Sequence, residues 1–232
     1  MLGLEPTVLC ILGMHRSGTS CLTGSLEESG VDLGDRHTWN PHNLKGNREN
    51  QAIVDLNDAV LMSNGAAWDQ PRHKIQWSTE QLEEARRLAT PAMGSKCFAF
   101  KDPRTLLTLD GWVQAVPELR FIGIFRHPMN VAQSLNNRSG MPVEVGLGLW
   151  YRYNRRLWRH YCRSQFPILC FDDEPELFRE KLETALVSYE LYDGKKKGEF
   201  YDASLRTAAG DYSYRLGWRI SGLLKKLKKI AE

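Results

Sequence analysis

The stretch TVLCILGMHRSGTS, residues 7–20, runs from an apolar segment through a glycine-bounded loop into a helical pattern. Thr7 to Leu12 has the β-branched, apolar make-up of a buried strand. Gly13 and Gly18 bound the loop, and Thr19 to Ser29 reads as a helix closed by Gly30. Strand, glycine loop, helix is the order that builds a phosphate cradle. The loop amides and the first turn of the helix both present N–H groups to an anion.

The spacing matches a P-loop as far as the second glycine. Position 19 is Thr, where a nucleoside-triphosphate P-loop carries its lysine. The cation is instead Arg16, inside the loop. The loop is therefore expected to hold a phosphate, but not as an ATPase or GTPase does.

Outward from this stretch, apolar runs alternate with helical periodicities. Arg48 to Met62 has Ile53, Leu56, Val60 and Leu61 on one helical face. Ser78 and Gln81 form a capping box before a helix reaching about Leu88. KCFAFK (96–101) reads as a second strand, Leu106 to Val116 as a helix and RFIGIFR (120–126) as a third strand. Pro128 opens a helix to about Arg138. A long helix over Val143 to Arg163, a strand PILCF (167–171), a helix over Glu174 to Tyr189, a polar loop (193–199) and a last helix from about Tyr212 complete the chain. This alternation predicts an α/β fold: a P-loop-type three-layer sandwich with a mainly parallel central sheet and helices on both faces. One domain is expected over residues 1–232.

The composition narrows the classes. With 31 Lys+Arg against 28 Asp+Glu, the formal charge of +3 leaves no nucleic-acid footprint. The five cysteines (Cys10, Cys21, Cys97, Cys162, Cys170) form no C-x-x-C pair and read as reduced core residues of a cytoplasmic protein. No signal peptide is visible, and no apolar run approaches the roughly 20 residues of a membrane span. The histidines include no H-E-x-x-H and no Cys/His cluster of metal spacing, so no metal is expected.

In parallel α/β sheets, ligands bind beyond the carboxyl ends of the strands. Three loops should meet there. The first carries Arg16, Ser17, Gly18, Thr19 and Ser20. The second is Lys101-Asp102-Pro103-Arg104. The third runs from Arg126 to Ser134, a pair expected to clamp a second phosphate through a bidentate guanidinium and a hydroxyl.

A G-x-x-x-x-G-T-S loop, a strand-end Lys, and a strand–Arg–x–Pro–helix with Ser eight residues after the Arg together resemble the sulfotransferases that use 3′-phosphoadenosine 5′-phosphosulfate (PAPS). The resemblance spans residues 7–30 and 96–138. Tyr201 to Arg206 (YDASLR) is similar to a late segment of bacterial members. It implies that His15, Arg16, Ser17, Gly18, Thr19 and Ser20 hold the 5′-phosphosulfate, that Arg126 and Ser134 hold the 3′-phosphate, and that Arg206 joins the donor-binding set. Arg16 would take the place of the family's loop Lys and neutralise the leaving phosphate. Lys101 would face the transferred sulfuryl group. PAPS would be the co-substrate, without metal, and the acceptor a hydroxyl on a carbohydrate, glycolipid or small molecule.

The base is the open position. Many members carry a His two residues beyond the strand-end Lys, where this chain has Pro103. Glu49, read at a helix start, is the favoured base, with Asp102 and His42 as alternatives. A P-loop small-molecule kinase and a non-catalytic adenosine-bisphosphate binder are the competing functions. His127 reads as a capping or packing residue. Asp102 could equally cap the turn after its strand, and Arg104 could pair with it. The arginines Arg152, Arg155, Arg156, Arg159 and Arg163 and the lysine-rich tail from Leu223 read as solvated helix faces, a reading preferred over peripheral membrane contact by the tail. Trp39, Trp68, Trp77 and Trp150 read as packing residues, a reading preferred over a sugar-stacking platform. The loops 32–46 and 63–78 are candidates for the acceptor site.

Overall fold

The computed structural model describes residues 7–37, 46–91, 95–191 and 212–232. In chain order the elements are β1 (Thr7–Leu12), α1 (Thr19–Glu28), α2 (Gln51–Ser63), α3 (Thr79–Leu88), β2 (Cys97–Lys101), α4 (Thr105–Ala115), β3 (Arg120–Phe125), α5 (Pro128–Ser139), α6 (Val143–Ser164), β4 (Ile168–Cys170), α7 (Pro175–Ser188) and α8 (Trp218–Ile230). The strands lie in the order β2-β1-β3-β4 and every pairing is parallel. All four carboxyl ends therefore open on one edge.

Alternation along the strands divides the interior into two layers. Val8, Cys10 and Leu12 face Phe98, Phe100 and the helices α2, α3, α4, α5, α6 and α8. Leu9 and Ile11 face Ala99, Ile122, Ile124, α1 and α7. Strand β1 is thus buried on both faces, as its near-continuous apolar run requires. Full burial of Leu9, Ile11, Ile122 and Ile124 contributes on the order of 1.5–3 kcal/mol each. The three-layer α/β sandwich expected from the alternation is the observed architecture.

Several boundaries differ from the expectation, for local reasons. Helix α2 starts at Gln51, not Arg48: Arg48 has φ +53°, and Asn50 caps the helix by accepting from Ile53 N–H at 3.3 Å. Helix α8 starts at Trp218, not Tyr212, because residues 212–217 form a turn and an extended approach. Cys10, Cys97 and Cys170 are buried and Cys21 is half-buried, but Cys162 is exposed on α6, so it is not a core residue. The capping box of α3 is present, with Gln81 N–H donating to Ser78 Oγ at 3.3 Å and Ser78 N–H to Gln81 Oε1 at 2.9 Å. The polar loop 193–199, Trp39, His42 and the segment 201–206 with Arg206 lie outside the described residues. Among the described residues no helix is long and apolar enough to cross a membrane.

Candidate active site at the strand ends

The loop after β1 has a constrained backbone. Gly18 has φ +88°, and a Cβ there would meet Phe171 at 2.3 Å. Gly13 has no room for a Cβ either, since Thr19 Cγ2 would lie at 2.6 Å and the Ile124 carbonyl oxygen at 2.8 Å. Arg16 is also left-handed, at φ +65°. Left-handed residues in such a loop turn neighbouring amides toward a common point, as in an anion nest. Two buried polar atoms of the loop, His15 Nε2 and Ser17 Oγ, have no hydrogen-bond partner among the described residues. Buried polar groups normally have partners, so these two are candidates for ligand contact.

Arg16 joins the first loop to the third. Its Nε donates to Ser134 Oγ at 2.8 Å, across 118 positions of sequence. Burial and the neighbouring Arg138 and Arg126 guanidinium groups together lower the pKa of Arg16. Arg126 is buried at the end of β3, with Nε 3.2 Å from Asp172 Oδ1 and its guanidinium over the Phe171 ring. Asp172 also accepts from His127 N–H at 2.5 Å and from Asn130 Nδ2 at 2.7 Å. One carboxylate after β4 thus fixes the start of α5. His127 caps that helix, its Nδ1 accepting from Met129 N–H at 3.3 Å.

Lys101 joins the second loop to the first. Its side chain is 1% exposed and its Nζ lies 2.7 Å from Glu49 Oε1 and 3.5 Å from Ser20 Oγ. Glu49 is half-buried and belongs to an extended segment, not to a helix start. His37 N–H donates to the Glu49 carbonyl and Arg48 N–H to the His37 carbonyl, both at 2.9 Å. Ser20 Oγ donates to the Asn47 carbonyl at 3.2 Å, and Arg48 pairs with Glu27 at 2.7 Å. These bonds anchor residues 47–49, the segment that presents Glu49 to Lys101.

Beneath Lys101 lies a closed polar network. Asp102 Oδ1 accepts from Arg104 N–H at 3.1 Å and from Arg104 Nη1 at 2.9 Å. Its Oδ2 accepts from Asn57 Nδ2 at 2.8 Å. Asn57 Nδ2 also reaches Thr105 Oγ1, while Asn57 Oδ1 accepts from Thr108 Oγ1 at 2.7 Å and Trp112 Nε1 at 2.9 Å. Burial pushes the Asp102 carboxyl up to about 6, against the opposing pull of Arg104. Arg104 pairs in addition with Asp58 at 2.7 Å.

His15 sits between these groups. Its ring lies 4.9 Å from that of Trp68 and 6.0 Å from that of Tyr153, edge-on to both. Burial, and then Arg104, Lys101, Arg138 and Arg16, hold its pKa well below the ordinary imidazole value. The ring is neutral at physiological pH. The cations gathered around His15 and Arg16 set a positive potential that favours an anion at this loop.

The structure therefore brings together His15, Arg16, Ser17, Gly18, Thr19, Ser20, Glu49, Lys101, Asp102, Arg126 and Ser134, the sites named from sequence that fall within the described residues. Asn57, Asn130 and Asp172 were not among them. Asn57 had a signal, as the polar residue on the apolar face of its helix. Asp172 had one too, as the first residue beyond the strand-like run PILCF.

No family model matches this chain, and no curated protein matches it in sequence. Among solved structures, the sulfotransferase domain of the olefin synthase of Synechococcus PCC 7002 is similar over 99% of this chain and 90% of that one, with a TM-score of 0.54 and 16% identity. A gluconokinase from Sinorhizobium meliloti 1021 matches over 79% of this chain and 93% of its own, with a TM-score of 0.45 and 16% identity. At such identity the first likeness is one of fold. It accords with the P-loop-type sandwich built above.

Proposed function

We propose that this chain is a sulfotransferase, which moves a sulfuryl group from PAPS to a hydroxyl on a carbohydrate, glycolipid or small-molecule acceptor. The observation that carries this reading is the bond from Arg16 Nε to Ser134 Oγ. It ties the glycine loop to the second turn of α5, an arrangement that suits a donor with phosphates at two positions of one ribose.

In this reading the loop amides, Ser17, Thr19, Ser20 and His15 hold the 5′-phosphosulfate. Arg126 and Ser134 hold the 3′-phosphate, with Arg206 as a further donor contact. Glu49 removes the proton of the acceptor hydroxyl while that oxygen attacks sulfur. The new O–S bond forms as the bond from sulfur to the 5′-phosphate oxygen breaks, and adenosine 3′,5′-bisphosphate leaves. Arg16 neutralises the leaving phosphate. Lys101 stabilises the sulfuryl oxygens and leaves its pairing with Glu49 to do so. Positioning and fixed charge supply most of the acceleration. Asp102 acts as a positioning residue, because its oxygens already accept from Arg104 and Asn57.

Transfer of isotopic label from PAPS to a panel of hydroxyl acceptors tests this directly. Label transfer by the wild-type chain, lost in Glu49→Gln, supports the reading. Magnesium-dependent transfer of the γ-phosphate of ATP, with none from PAPS, would replace it with a kinase.

A further inference from the structure

Helices α6 and α8 pack against each other on the outer side of one core layer. Their apolar faces are spent inward: Trp150, Tyr153 and Leu157 of α6 and Leu223, Leu224 and Leu227 of α8 are buried. Their outward faces are strongly biased. The two helices hold ten Lys and Arg residues and one acidic residue, Glu144, in a chain where the totals are 31 and 28. The faces meet at a seam, where Lys226 Nζ of α8 lies 5.5 Å from the centre of the Trp158 ring of α6. Arg155 and Arg159, one turn apart and both exposed, lie on the α6 side of that seam.

The outermost line of α8 is Trp218, Gly222, Lys225 and Lys229, spaced i, i+4, i+7, i+11. Trp218 is 79% exposed. An indole is large and apolar at one edge and polar at the other, and free exposure on a soluble surface wastes its burial energy. A ridge joining an exposed Trp to lysines, beside a second row of arginines, has the chemistry of a membrane interface. The aromatic ring enters the headgroup region while the cations meet lipid phosphates.

We propose that the paired outward faces of α6 and α8 dock the protein on an anionic lipid surface. Core packing consumes the apolar stripe of α8, so the helix does not insert. It lies flat as a basic plane with Trp218 as its single interfacial anchor. This inference stands apart from the proposed sulfuryl transfer, since none of these residues belongs to the anion site at the strand ends.

The test is flotation of the full chain with phosphatidylcholine vesicles, with and without phosphatidylglycerol, across a range of salt. The chain should float with the anionic vesicles at low ionic strength, remain behind with neutral ones, and be released as salt rises. Lys225→Gln with Lys229→Gln should weaken binding roughly thirtyfold, about fivefold for each charge. Trp218→Ala should weaken it while leaving the circular dichroism spectrum unchanged. Arg155→Gln with Arg159→Gln probes the same face from the other helix and keeps the test valid should an α8 variant misfold. Binding to heparin with none to anionic vesicles would overturn the proposal in favour of a soluble polyanion. Equal flotation with neutral vesicles, or no effect of either double variant, would also overturn it.

Discussion

Two carboxylates lie at this edge, Glu49 beside Lys101 and Asp102 against Arg104 and Asn57, and their surroundings differ. Glu49 accepts from the Lys101 ammonium and keeps part of its surface open, as the base of the proposed transfer needs in order to meet an incoming hydroxyl. Glu49→Gln is expected to lower kcat by roughly 10²–10⁴-fold while affinity for adenosine 3′,5′-bisphosphate changes little. Steady-state kinetics and calorimetry on the same preparation separate the two, and equal loss of both would make Glu49 a donor-binding residue. Asp102 is enclosed, with its pKa raised from 3.8 to about 6 chiefly by burial. The folded protein then binds its proton more tightly than the unfolded chain does. The contribution of Asp102 to stability is full below about pH 4 and is lost as pH rises through about 6, by at most about 3 kcal/mol. The unfolding free energy of wild type minus that of Asp102→Asn should therefore fall between these pH values. A difference that rises instead would mean that Arg104 and Asn57 stabilise the carboxylate by more than its burial costs.

At the scale of elements, Asn57 is what attaches α2 to α4 and to the turn after β2. Replacing it with Leu keeps the branched shape but strands Trp112 Nε1 and Asp102 Oδ2, and leaves Thr108 Oγ1 only the Arg104 carbonyl at 3.4 Å. A loss of about 3 kcal/mol is expected, read as a lower urea midpoint at unchanged slope. The loop between β1 and α1 is as exacting. Gly18→Ala combines a left-handed backbone with a Cβ driven into Phe171, and should cost about 1–3 kcal/mol in thermal unfolding while weakening anion binding. Elements of this kind were legible in sequence because their signals are local. The apolar run of β1, the glycines at 13 and 18, the capping box at Ser78 and Pro128 at the start of α5 each name their own structure. The start of α2 was misplaced because the apolar periodicity begins only at Ile53, so it does not fix the first turn, where Asn50 caps and Arg48 turns left-handed. The role of Asp172 was not legible because it depends on β4 lying next to β3, a contact 42–46 positions distant in the chain. Likewise the pairing of Lys101 with Glu49 depends on a segment held by His37, which no periodicity announces.

At the scale of the whole molecule, the parallel order β2-β1-β3-β4 gathers the four strand ends along one edge. Loops far apart in the chain become neighbours, and two side-chain bonds record the result: Arg16 with Ser134, and Lys101 with Glu49. The basic plane of α6 and α8 is a separate product of the same packing, on the outer side of the helical layer. In the proposed function the strand-end edge takes a nucleotide with two separate phosphates and does so without metal. Calorimetric titration of the full chain with adenosine 3′,5′-bisphosphate, ADP and ATP, each without and then with magnesium, tests it most directly. Selective binding of the bisphosphate is expected, unchanged by magnesium and weakened in Arg126→Gln. Preferential, magnesium-dependent binding of ATP would contradict it.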